Sequence, residues 1–107
     1  MPRRADVDPM TAKIGARIRA LREEQTLTQE KLAYESGLAS KGHLSGIENG
    51  LVRPTLQTLR MLADRLEVDM LDLFTFPEES PRHRLIDATR SMARGTIRRL
   101  ANDATKK

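Results

Sequence analysis

Groups able to do chemistry are few and scattered in this 107-residue chain. Two histidines, His43 and His83, fall in separate segments, and there is no cysteine, which excludes disulfides and thiolate metal sites. No spacing of histidine with carboxylates resembles a metal site or a nucleophile–base–acid triad. The acid pairs Glu23–Glu24 and Glu78–Glu79 are neighbours in sequence with nothing to gather them into a cleft. No glycine-rich loop joins a strand to a helix to cradle a phosphate. Neither a catalytic residue, nor a metal, nor a cofactor is expected. What remains is "SKGHLSGIENG", residues 40–50. Read as a helix, it spends Gly42 and Gly46 on one side, at about 1 kcal/mol each relative to alanine. At about 100° per residue, Leu44 and Ile47 define its buried direction. The opposite side then carries Gly42, Ser45, Gly46 and Asn49, with Lys41 flanking at the first turn. A face this small is either solvated and tolerant of its glycines, or shaped for close approach to a partner. The stretch alone leaves both open.

The elements that must position this face read as helices. Residues 1–10, with two prolines and mixed charges, form a flexible arm. From Thr11 a helical period begins, with Ile14, Ile18 and Leu21 inward. Thr28 caps a short helix, "QEKLAYES", which turns Leu32 and Ala33 inward and stops at Gly37. Ser40 caps the third helix and Gly50 ends it. A fourth runs from Thr55 to about Leu66, burying Leu56, Leu59, Leu62, Ala63 and Leu66. Asp69 caps a fifth, "MLDLF", whose Met70, Leu71, Leu73 and Phe74 close the core. No stretch alternates with period two for long enough to argue a strand. The block 11–76 is therefore an all-helical domain. Residues 77–81 are a proline-bearing linker, and 82–107 form one basic C-terminal helix striped by Leu85/Ile86, Thr89, Met92/Ala93, Ile97 and Leu100. Gly95 near its middle counts against it.

Charge is unevenly distributed. Residues 1–81 carry 11 Lys and Arg against 13 Asp and Glu, whereas residues 82–107 carry 8 against 2. The tail thus has a charge of +6 on a body of −2, suited to nucleic acid, an anionic membrane surface or an acidic partner. No apolar run approaches the roughly 20 residues of a membrane span, and the N-terminus lacks an apolar segment of secretory type. A cytoplasmic location and no membrane partner are expected. One Tyr, two Phe and no Trp require an aliphatic core.

The order TQxxLA, a glycine, a small turn, then SxIExG and PTLxTLxxLAxxL resembles the Cro-repressor/xenobiotic-response-element family of DNA-binding domains, over about Ile14 to Phe74. The resemblance implies an all-α fold: a five-helix lambda-repressor-like DNA-binding domain, here with the C-terminal basic helix added. Its helix-turn-helix motif spans about 28–48, and its third helix enters the major groove. Beside that motif, the small face of residues 40–50 favours close DNA approach, with Lys41 reaching the N7 and O6 acceptors of guanine. By resemblance the DNA-binding residues are Gln29, Ser40, Lys41, Gly42, His43, Ser45, Gly46, Asn49 and Arg53. Gln29 holds a phosphate at the start of the second helix; Lys41, Gly42, Ser45 and Gly46 face bases; Asn49 and Arg53 touch phosphates beyond the third helix. Two of the base-facing positions lack a side chain, so specificity rests on Lys41, Ser45 and DNA shape. His43, at the flank, fits either a phosphate contact or a partly buried structural role. Arg22 and Glu48 match a family ion pair that fastens the first helix to the end of the third, worth about 0–1 kcal/mol as a surface pair. The turn "GLASKGHLS" is one residue longer than the commonest family spacing, which can shift individual base contacts by one position.

The expected function is a sequence-specific DNA-binding transcriptional regulator, a repressor acting as a homodimer on a palindromic operator in double-stranded DNA. The alternative is an antitoxin that binds a protein toxin as well as its own operator. A restriction–modification controller is a further family option. A ligand-sensing repressor is disfavoured, since the residues after Phe76 are too few for a sensor domain. The tail is expected to dimerise, to add phosphate contacts, or to pack on its own domain.

Overall fold

A computed structural model describes residues 8–106, and its first helix is set by Asp8. The Asp8 carboxylate accepts the Met10 N–H at 3.4 Å and the Thr11 hydroxyl at 3.3 Å, and Pro9 takes the first helical position, where its missing N–H costs nothing. The helix α1 therefore spans Pro9–Glu24, starting two residues before the expected Thr11. Of the arm expected over 1–10, residues 1–7 lie outside the described residues, and Asp8, Pro9 and Met10 belong to the helix and its cap.

Four further helices complete the first unit, which ends at Phe74: α2 (Gln29–Ser36), α3 (Lys41–Glu48), α4 (Leu56–Leu66) and the single turn α5 (Met70–Leu73). Thr28 and Ser40 cap as expected, and Thr55, expected as the first residue of the fourth helix, caps it instead. The hydroxyls of Thr28, Ser40 and Thr55 accept the N–H groups of Lys31, His43 and Thr58 at 3.0, 3.1 and 3.0 Å. Gly37, at φ 85°, closes α2 in the left-handed region, and the Leu38 N–H turns back to the Ala33 carbonyl at 2.9 Å. Asp69 donates its N–H to Asp72 Oδ2 at 2.9 Å and so starts α5 with a capping box.

The core is aliphatic: Ile18, Leu21, Leu32, Leu44, Ile47, Leu62, Leu66 and Leu73 are fully buried. Three residues expected in it are outside. Leu56, the first residue of α4, lies a turn ahead of that helix's buried stripe, and Leu71 and Phe74 flank the inward Leu73. A one-turn helix cannot bury Leu71 and Leu73 together, because they stand about 200° apart. Arg17 ties α1 to α5 by donating from Nε to the Asp72 carbonyl at 2.8 Å.

Thr26, in the turn between α1 and α2, has φ 57°. A β-branched residue there is a genuine outlier, and the left-handed conformation costs about 1–2 kcal/mol. Thr26→Asn is expected to raise unfolding free energy by about 1 kcal/mol, read as a higher denaturant midpoint at unchanged slope. A lower midpoint would show that the Thr26 side chain supplies more than the strain removes.

The second unit runs from Thr75 onward. Ser80 caps α6 (Pro81–Ala88) by accepting the His83 N–H at 3.2 Å. The Phe76 N–H donates to His83 Nδ1 at 2.8 Å, and the two rings stack with centroids 5.9 Å apart. The single basic helix expected over 82–107 is broken. A 3-10 turn covers Thr89–Ser91, Met92 and Ala93 are extended, and α7 (Arg94–Thr105) begins afresh. The break has local causes. The hydroxyls of Thr89 and Ser91 donate to the carbonyls of Ile86 and Ala88, and Arg90 folds back on Asp87 at 2.9 Å, so side chains compete with the helical ladder. Gly95 falls in the first turn of α7 instead of mid-helix. Neither α6 nor α7 contains a buried residue.

Candidate nucleic-acid interface

The inward side of α3 is made by Leu44 and Ile47, both fully buried, with Glu48 beside them. The rest of the helix therefore faces out, with Lys41 and Gly42 exposed and Ser45 and Gly46 half-buried. Just beyond its last turn, Asn49 is exposed and donates from Nδ2 to Ser45 Oγ at 3.3 Å. Ser40 caps the helix, and His43 is half-buried at the flank.

The two glycines have different causes. A Cβ built on Gly42 would meet only Ser40 Oγ, at 3.7 Å, so the space before it is open. A Cβ on Gly46 would lie 2.7 Å from Cγ2 of Val52, so the chain itself fills that space. Gly46 thus has a packing role that the spacing of residues 40–50 does not disclose.

Arg22 and Glu48 meet as anticipated, but not on the surface. Arg22 donates from Nε to Glu48 Oε2 at 2.7 Å and from Nη2 to Oε1 at 3.0 Å, a two-pronged pair in which the Glu48 side chain is 0% exposed. A third donor, Nη1, reaches the Leu27 carbonyl at 2.7 Å. The hydrogen-bonded carboxylate raises the pKa of Arg22 above the ordinary arginine range, outweighing the opposing effect of burial. The same carboxylate takes a hydrogen bond from Gln29, whose Nε2 donates to Oε1 at 2.9 Å. Gln29 is therefore committed, through at least one of its N–H groups, to the end of α3.

Beside this network lies an open depression of about 510 Å³, lined by Arg19, Arg22, Thr28, Gln29, Glu30 and Lys41. It combines the N-terminal end of α2, where first-turn N–H groups lack intrahelical partners, with three cationic side chains: Lys41, Arg22, which is committed to Glu48, and Arg19, which donates from Nε to Glu23 at 3.3 Å. That chemistry suits an anion, opposed locally by Glu30. Gln29 and Lys41 are brought together here, whereas Arg53, on the exposed turn after Gly50, is not among the lining residues. Arg19 was not singled out from sequence. Its period on α1 places it outward, but only the fold brings it to the start of α2. Among the described residues no cluster of His, Asp or Glu could hold a metal ion, and no helix is long and apolar enough to cross a membrane.

Comparison with known proteins gives the family. A helix-turn-helix family model matches residues 18–73. An uncharacterised HTH-type transcriptional regulator of Sinorhizobium fredii, y4dJ, is 39% identical over 72 residues, covering 67% of this chain and 92% of that protein. The immunity repressor of Bacillus phage phi105 is 39% identical over 57 residues, a match that covers 53% of this chain and 39% of the repressor. Among solved structures, the restriction-modification controller protein C.AhdI from Aeromonas hydrophila superposes with a TM-score of 0.58 at 36% identity, covering 60% of this chain and 96% of the controller. Motif, helix order and relatives converge: the chain belongs to the Cro/C1-type helix-turn-helix family and is a DNA-binding transcriptional regulator.

Proposed function

We propose that this regulator acts in the cytoplasm as a homodimeric repressor on a palindromic operator, with α3 lying in the major groove. The observation that carries the reading is the juxtaposition of a small outward face on α3 with an anion-suited depression at the start of α2. A recognition helix needs both: a backbone that can approach base edges, and a phosphate anchor that sets its register. Lys41 stands at their shared border, long enough to reach guanine N7 and O6. The phosphate is held by first-turn N–H groups of α2 together with Arg19, and Gln29 contributes by fixing that end to Glu48. Ser40 is a cap first, and its hydroxyl can meet DNA only while serving that role. Ser45 and Asn49 present a linked pair of polar groups to the groove, with Gly42 leaving room. His43 and Arg53 take flanking phosphates. Repression is favoured by the phage relative, named as an immunity repressor. Two half-sites about one DNA turn apart suit a two-fold assembly.

The test is a fluorescence titration of random and selected duplexes at two salt concentrations, with wild type and Lys41→Ala. Binding to selected duplexes is expected to exceed random ones by about 10³-fold or more, with two chains per site. Lys41→Ala should weaken selected binding by roughly tenfold and make the salt dependence shallower. A folded protein that binds no duplex would overturn the reading.

A further inference from the structure

Position 46 is the point on the outward face of α3 where a side chain would aim into the groove, and it has none. The structure fills it from elsewhere. Gly50, at φ 74°, turns the chain back, and the Leu51 and Val52 N–H groups both donate to the Gly46 carbonyl, at 2.9 and 3.1 Å. Val52 is thereby held with Cγ2 2.7 Å from where a Cβ on Gly46 would stand. Val52 as a whole is still 36% exposed, and Ser45, next to Gly46 in the chain, accepts a hydrogen bond from Asn49. Resting on the proposed groove-entering role of α3, we propose that Val52 is a specificity-determining residue. Its exposed methyl groups, seated on Gly46, pack against the C5-methyl of a thymine.

The chemistry follows from what the groove displays. Lys41, Ser45 and Asn49 can pair only with hydrogen-bonding edges, and thymine carries the one apolar mark on a major-groove edge. Whatever apolar surface Val52 leaves in water gains nothing in the free protein. Against a thymine methyl, both apolar surfaces leave water. The seat is rigid, because two backbone hydrogen bonds and the glycine below define it, so the contact needs little ordering of side chains on binding. Gly46 is then required twice: to seat Val52, and to keep polar groups away from the methyl.

The test replaces thymine by deoxyuridine, which removes the C5-methyl and leaves base pairing intact, one position at a time in a duplex selected for binding. Wild type should lose about fourfold in affinity at one position of each half-site, the worth of one buried methyl. Val52→Ala should bind the thymine duplex more weakly and no longer distinguish it from the deoxyuridine duplex. Gly46→Ala, which evicts Val52 from its seat, should lose the distinction as well. Val52→Thr, nearly the same shape, keeps the fold and should show a reduced preference. A flat deoxyuridine scan with wild type, or a Val52→Ala variant that keeps the full preference, would overturn the assignment to Val52 while leaving the groove-entering role of α3 standing. Failure to select any duplex would overturn both.

Discussion

Arg22→Ala is expected to lower the unfolding free energy by about 3–5 kcal/mol, a large part of the roughly 5–15 kcal/mol that holds a domain of this size. The reason lies in what remains. The Glu48 side chain, with no exposed surface, would be left in the interior with only the Gln29 amide, at 2.9 Å, of the three side-chain hydrogen bonds it now accepts. The Leu27 carbonyl would lose its donor too. Replacing both partners by apolar residues, as in Arg22→Met with Glu48→Met, should cost far less than either truncation, because no charge is then stranded. Denaturant unfolding of the two single variants and the double variant forms the cycle that checks this. Near-additive losses would mean that the pair is not coupled. The raised pKa of Arg22 fixes the sign of any pH dependence. A group whose pKa rises on folding stabilises fully below its unfolded value and loses that contribution as pH rises through the folded one. The contribution of Arg22 is therefore complete at neutral pH and is lost only under strongly alkaline conditions.

Gly15→Ala should destabilise by about 1–3 kcal/mol, although the same change in an ordinary helix interior stabilises by about 1 kcal/mol. Gly15 lies on the face of α1 that packs against α3, and a Cβ there would fall 2.1 Å from the Ile47 carbonyl oxygen and 3.0 Å from that of Glu48. These are backbone atoms, so no rotamer change relieves the overlap. The two helices must separate by about 1 Å, and α3 carries the outward face with it. Affinity for a selected duplex should accordingly fall even at temperatures where the variant is fully folded, a loss that Thr26→Asn would not share. Thermal unfolding and a duplex titration on the same preparation separate the two effects. A higher melting temperature with unchanged affinity would show that α1 and α3 accommodate the methyl group.

Much of the fold was legible because it is local. Thr28 and Ser40 are caps by residue type, Gly37 is a stop, and Ile18, Leu21, Leu44, Ile47 and Leu62 keep the period of a buried stripe. The pairing of Arg22 with Glu48 came from the motif. What escaped depends on a partner distant in the chain. Gly15 looks like any helix glycine until the end of α3 is laid on it. Gly46 looks like a vacancy for DNA until Val52 is seen to fill it. The ion pair reads as superficial because burial is a property of three helices together. The break at Met92–Ala93 was missed for another reason: the apolar spacing of the tail is compatible with one helix, while the side chains of Thr89, Arg90 and Ser91 bond locally and end it.

The hub formed by Arg22, Gln29 and Glu48 divides the interface into parts that can and cannot change independently. One carboxylate holds the first helix, the start of the second and the end of the third, so a substitution at any of the three residues is felt by the other two. Lys41 and Gly42, by contrast, support nothing in the core. In the proposed pose of α3, diversification at those two positions would retarget the protein without disturbing its frame, whereas the hub residues can be exchanged only as a set. In that pose the helix pair is a fixed chassis with interchangeable reading positions, a division suited to acquiring new operators by single substitutions.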